Sequence, residues 1–149
     1  METNDLEKVK DFFKGDVYAL DTTGINIEEA DEGFAVCTLV PGEKHVNADG
    51  VVQGGAIYTL ADFCFAVAAN AEEIVKYGKP RTVTLSANIT YLRPAKLNEK
   101  LVATAKCVKQ GRTAGYYEVK VTPEGAPDKV ICAVNINGMT AHDNRGTGA

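Results

Sequence analysis

Three observations predict an α+β fold in which an antiparallel sheet wraps around one long helix. First, residues Ala56 to Ala71 are apolar on nearly every helical face: Ile57, Leu60, Phe63, Phe65 and Val67, with Ala56, Ala61, Ala66, Ala68 and Ala69 between them. A helix of that kind belongs in the middle of a core. Second, two short strand-like pieces precede it and four longer ones follow, a separation of strands and helix typical of α+β chains. Third, 149 residues with 45% apolar content suit one globular domain, with a real core but room to gain from oligomerisation.

Taken in order, Asn4 and Glu7 resemble a capping box, and Leu6, Val9, Phe12 and Phe13 then share a helical face, so a short N-terminal helix is expected within residues 1–15. Val17 to Leu20 and Ile25 to Ile27 read as short extended pieces, followed by a polar turn from Glu28 to Gly33. Phe34 to Val40 is a nearly continuous apolar strand that stops at Pro41-Gly42. A glycine-bearing loop leads into the central helix, which closes at Tyr77-Gly78. Thr82 to Leu92 alternates strictly, with Val83, Leu85, Ala87, Ile89 and Tyr91 on one face. Lys100–Lys109, Thr113–Val121 and Val130–Thr140 supply the remaining strands, and residues 143–149 form a polar tail expected to fray.

The central helix approaches the length of a membrane span, but Asp62 at its centre and the lack of a basic flank favour a soluble core helix. Residues Met1 to Gly15 carry no apolar signal-peptide region, and Cys37, Cys64, Cys107 and Cys132 are widely spaced within apolar runs. They are expected to be reduced thiols in a cytoplasmic protein, without a zinc pattern. The net charge of −4 hides an asymmetry: nine Lys and Arg against Glu99 alone between Lys76 and Arg112. That stretch is either solvated strand edge or a patch for an anionic ligand. No aromatic residues interleave with it in the manner of a nucleic-acid site.

Chemistry is expected around Gly54-Gly55 and Asp62. Two glycines at a helix start expose unpaired N–H groups, and their place at the positive end of the helix dipole favours meeting a developing oxyanion over the alternative of a plain tight turn. A carboxylate in an apolar helix is costly unless it works or is paired. His45 is a lone loop histidine, without the companions of a metal site.

The series His45-x-Asn47-x-x-Gly50-x-x-Gln53-Gly54-Gly55 with Leu60-Ala61-Asp62 resembles the signature of hotdog-fold acyl-CoA thioesterases of the phenylacetate-degradation type. Residues 88–95, ending Tyr91-Leu92-Arg93-Pro94-Ala95, and Gln110 to Thr113 resemble the same family. The resemblance implies hydrolysis of an acyl-CoA to free acid and CoA, with Asp62 as general base or nucleophile and the helix-start N–H groups as oxyanion hole. It further implies that Asn47 orients water or the thioester and that Thr84 lies near the carboxylate. Gln53 departs from the family, where many relatives carry His; glutamine can hydrogen-bond but carries no proton. No metal or separate cofactor is implied, since CoA is part of the substrate. Arg93, Lys96 and Arg112 would meet its phosphates, and Tyr58, Phe63 and Phe65 would line the acyl group. A non-catalytic acyl-CoA sensor is the alternative.

One chain is not expected to complete such a site. Eight residues separate Gly54 from Asp62, ~12 Å of helix axis. A two-fold homodimer with antiparallel central helices would bring Asp62 of one subunit to the helix start of the other, and two such dimers could pair into a homotetramer.

Overall fold

The computed structural model describes residues 1–142; the tail beyond, expected to fray, lies outside the described residues. Six strands form one antiparallel sheet: β1 (Asn26–Asp31), β2 (Phe34–Leu39), β3 (Thr82–Tyr91), β4 (Leu101–Gln110), β5 (Ala114–Pro123) and β6 (Cys132–Thr140). Their order across the sheet is β1-β2-β4-β5-β6-β3, so β1 and β3 are the edges. Helix α1 covers Thr3–Phe13 and α2 covers Gly54–Tyr77.

The α2 helix lies in the curved inner face of the sheet. Its Leu60, Ala61, Cys64, Val67, Ala68 and Ala71 are buried against strand residues that include Ala35, Ala103 and Ala105. Small side chains in the middle strands let the helix backbone come close, and Cys64 Sγ donates to the carbonyls of Ala35 and Ala103 at 3.4 Å each. On the opposite side α1 covers the helix, with Phe13 packed edge to face on Phe63 at 5.3 Å. The four cysteines are free, and burial pushes the Cys132 thiol up to about 11.

Four local expectations are corrected. Residues Tyr18–Thr23 form a helical turn, not an extended piece; Asp16 caps it by accepting from Ala19 N at 3.0 Å, and Gly24 ends it at φ 89°. Strand β1 runs through the supposed polar turn to Asp31, because its acidic side chains point to water at a sheet edge while Ile27 and Ala30 point inward. The N-terminal capping box does not form; α1 starts at Thr3 without a side-chain cap.

The fourth correction bears on the site. A bulge between Thr84 and Ser86 breaks the pairing of β3 with β6, so the strict alternation in sequence does not stay on one face. Before the bulge Thr82 sits inside, opposite buried Thr140; beyond it Ala87 and Ile89 oppose buried Ile136 and Val134. Val83 and Leu85 are 60% and 59% exposed rather than in the core.

Candidate functional site

The α2 helix starts at Gln53, whose backbone and side chain together cap it. Of the four N–H groups that open a helix without an internal partner, Gln53 donates to the His45 carbonyl and Gly55 to Gln53 Oε1, each at 2.7 Å. Ala56 donates to the Gln53 carbonyl at 3.0 Å, and the same carbonyl accepts the first regular bond of the helix, from Ile57 at 3.3 Å. The Gly54 N–H has no partner among the described residues, so it is the donor left at the positive end of the helix. Gly55, expected as a second oxyanion donor, is therefore occupied.

Gly54 is packed under an aromatic ring. A Cβ added there would lie 3.1 Å from Tyr91 Cζ, and Tyr91 Oη donates to the Gly54 carbonyl at 2.7 Å. Val52, Gly54, Ile57, Tyr91, Leu92, Arg93, Pro94 and Ala95 line an open cleft of about 320 Å³ at this end of the helix. Tyr91 lay within a motif carrying the family resemblance, yet nothing in its own spacing marked it as a site residue.

The loop before the helix is pinned from several sides. His45 accepts from Gly42 N through Nδ1 at 2.8 Å, and Nε2 lies 2.6 Å from the Thr23 carbonyl. Those partners require the neutral tautomer with its proton on Nε2, so the buried ring is a structural strut. Asn47 Oδ1 accepts from Asp49 N at 2.9 Å and Val51 N at 3.3 Å, which makes it a turn former. Its exposed side-chain amide N–H groups make no hydrogen bond within the described residues.

Two turns further along α2, Asp62 accepts a hydrogen bond from Thr84 Oγ1 at 2.7 Å. The β3 bulge supports this contact by keeping Thr84 on the helix side of the strand. Asp62 is half-buried rather than sunk in the core, because its stripe of the helix, with Gly54 and Tyr58, faces the exposed edge of the sheet. Burial, and to a lesser degree the Asp62 charge, holds the Tyr58 phenol above its ordinary range.

Asn70 is a second residue that the sequence reading missed. It is buried at 2% exposure and uses its whole hydrogen-bonding capacity. Oδ1 accepts from Arg81 N at 2.9 Å and Thr82 N at 2.8 Å; Nδ2 donates to the carbonyls of Thr82 at 2.9 Å and Ala66 at 3.0 Å. It thus bolts the first residues of β3 to α2, two positions before Thr84. A lone asparagine in the apolar run Val67 to Ala71 was the available signal.

Other expectations separate. Phe63 and Phe65 are core residues at 4% and 1% exposure, Phe65 packing on Tyr117 at 5.0 Å, so neither lines an open acyl site. The basic stretch is not one surface. Lys76 pairs with Glu72 at 2.5 Å, Arg81 with Glu73 at 3.6 Å and Lys100 with Glu124 at 3.0 Å. Arg93 borders the Gly54 cleft, with Lys96 exposed just beyond it, whereas Arg112 lines a separate cavity of about 460 Å³ beside Ala68, Glu72 and Glu73. Gly54 and Glu72 are eighteen residues apart on one helix, ~27 Å. Among the described residues no cluster of His, Cys, Asp or Glu could hold a metal ion.

The arrangement therefore offers a fixed carboxylate, an unpaired helix-start N–H and a free amide donor on a rigid loop. A model of the thioesterase superfamily matches residues 49–128, more than half of the chain. The chain belongs to the thioesterase superfamily. Acyl-coenzyme A thioesterase PaaI of Escherichia coli is 34% identical over 98 residues, covering 66% of this chain and 66% of that one. Human acyl-coenzyme A thioesterase 13 is 38% identical over 98 residues, covering 66% and 67%. The structure of the E. coli PaaI protein from the phenylacetic acid degradation operon superposes with a TM-score of 0.76 at 25% identity, over 91% of this chain and 95% of that one. A hypothetical thioesterase protein from Streptococcus pneumoniae, solved with coenzyme A, gives 0.67 at 28% identity, over 80% and 90%. The sheet wrapped on α2 is thus the hotdog fold, and the PaaI-like resemblance read from the motifs holds.

Proposed function

We propose that this chain hydrolyses acyl-CoA thioesters to a free acid and CoA, at sites shared between two copies of itself. The observation that carries the reading is the pairing of a Thr84-oriented Asp62 with an unpartnered Gly54 N–H on the same helical stripe. Asp62 takes a proton from water as the water oxygen attacks the thioester carbon. The charge that develops on the carbonyl oxygen is met by the Gly54 N–H at the helix start. The tetrahedral intermediate then expels CoA as thiolate, which takes up the proton. The amide of Asn47 orients the water or the carbonyl.

Within one chain the two groups are ~12 Å apart along the helix, beyond the ~3 Å reach of a general base. A second copy with its α2 antiparallel brings Asp62 of one subunit to Gly54 of the other. Strand β3 supports that arrangement: among the described residues it is an edge ten residues long, bearing exposed Val83, Leu85 and Tyr91, with exposed Leu92 just past its end. Long apolar edges are otherwise aggregation hazards. Human acyl-coenzyme A thioesterase 13, E. coli PaaI and the coenzyme A-bound streptococcal protein support the choice of acyl-CoA. Four free cysteines suit a cytoplasmic setting.

The test is CoA release from a panel of aromatic, short and medium acyl-CoAs, read with a thiol-reactive dye. Three of the four protein cysteines are buried, which keeps the background low. Release above the buffer rate is expected for at least one acyl class. Binding of acyl-CoA without any release would favour a sensor in place of an enzyme.

A further inference from the structure

The helix start is held by two side chains that no part of the proposed reaction uses, Gln53 and Tyr91, and both act on the same peptide group. The Gly54–Gly55 peptide donates its N–H to Gln53 Oε1 and accepts at its carbonyl from Tyr91 Oη, each at 2.7 Å. A peptide with both polar atoms bound has no freedom to tilt. Gln53 Oε1 also lies 3.1 Å from where a Gly55 Cβ would be, and Tyr91 ring atoms lie 3.1–3.3 Å from a Gly54 Cβ, so both residues close down on glycine backbone. The result is selective, because the Gln53, Gly55 and Ala56 N–H groups are all occupied while that of Gly54 is left open.

We infer that Gln53 and Tyr91 are positioning residues that clamp the Gly54–Gly55 peptide and with it the Gly54 Cα, so that the adjoining N–H of Gly54, on the Gln53–Gly54 peptide whose carbonyl is held by Ala56 and Ile57, alone is presented to the thioester oxygen. The inference rests on the proposed hydrolase reading and adds how the donor is aimed. It gives Gln53 a role that needs no proton, which accounts chemically for a glutamine at a position where histidine would be protonatable. Tyr91 acts through its hydroxyl on the carbonyl side of the same peptide. Burial raises its phenol above the ordinary range, so it remains a donor at neutral pH. A hydrogen bond that must be made to a developing charge loses strength quickly when its donor is free to tilt.

The test uses Tyr91→Phe, which keeps the ring over Gly54, and Gln53→Met, which keeps length but removes the acceptor. Loss of a single oxyanion donor typically costs 10²–10³ in kcat; loosening one should cost less, about tenfold in kcat for each variant with KM within about twofold. Because both act on one peptide, the double variant should fall by less than the product of the two. The amide resonance of Gly55 should move in each variant, with faster hydrogen exchange, while the melting temperature of Tyr91→Phe stays near that of the wild type. A positioning role leaves the pH–rate profile of Tyr91→Phe unchanged in shape; loss of a limb would make Tyr91 a proton donor and overturn the inference. Near-normal kcat in both variants, or a still Gly55 amide, or a double variant equal to the product, overturns it with the hydrolase reading intact. A wild type that cleaves no acyl-CoA in the panel overturns both.

Discussion

Asp62 is a carboxylate on a helix whose other faces are buried, and its position on the exposed stripe is what lets it remain useful. Thr84 donates to Oδ1, leaving the other oxygen and the remaining lone pairs for water. Asp62→Asn is nearly isosteric and should keep the melting curve, while CoA release falls by at least ~10²-fold, as for loss of a general base. Thr84→Val removes only the orienting bond and should cost about tenfold in kcat with little change in KM. Near-normal turnover of Asp62→Asn with a normal melting curve would remove the residue from the mechanism. The cationic residues divide in the same spirit. Arg93 lines the Gly54 cleft with exposed Lys96 nearby, and in the proposed reaction these two would meet the anionic substrate; Arg112 belongs to another cavity of the same chain. Neutralising Arg93 and Lys96 together should raise KM more than it lowers kcat, by a factor that shrinks as salt rises and exposed charges are screened. An unchanged KM across salt would return both to plain solvated surface.

At the scale of elements, the site depends on how β3 meets α2. The bulge keeps Thr84 inward, and Asn70 fixes the first residues of the strand to the helix. Asn70→Ala strips partners from the buried N–H and carbonyl of Thr82 and from the half-buried N–H of Arg81. With unsatisfied buried groups costing about 1–3 kcal/mol each and partly rescued by water, a loss near 3 kcal/mol is expected in denaturant titration. Residual activity at a temperature where the variant is folded should also drop, because Thr84 loses its anchor; unchanged stability would mean that the strand holds its place without the asparagine. A second contact works by shape. Gly138 on β6 has no room for a Cβ, which would lie 2.8 Å from Phe65 Cζ and Thr82 Cγ2. Gly138→Ala should therefore destabilise by about 1–3 kcal/mol through overpacking of the helix against the sheet.

At the scale of the whole molecule, the proposed dimer makes a prediction no monomeric site shares. In an isologous dimer each site draws Asn47 and Gly54 from one chain and Asp62 from its partner. Asn47→Asp keeps the Oδ1 acceptor that forms the turn and removes only the amide donor. Mixed with Asp62→Asn, it should gather both defects into one site of each heterodimer and leave the other whole. Random 1:1 reassembly should then recover roughly a quarter of wild-type activity from two weak parents. Mixtures that contain heterodimers yet stay as inactive as either parent would falsify the shared site.

The parts of this protein legible in the sequence are those set by local pattern. The greasy helix, its glycine stop at Gly78 and strands β2, β4, β5 and β6 follow from periodicity and turn chemistry. The spaced series from His45 to Asp62 pointed to the family, and the distance between Gly54 and Asp62 follows from helix rise alone. What only the tertiary structure decided are the contacts between segments distant in sequence. The β3 bulge reversed which face holds Val83 and Thr84, since a one-residue offset turns every side chain over and leaves no trace in composition. The clamp of Asn70 on residues 81–82 and of Tyr91 on Gly54 joins side chains to backbone groups 11–37 positions away. Backbone groups look alike in any sequence, so which of them a side chain will satisfy, and which single N–H it will leave open, is settled only when the chain has folded.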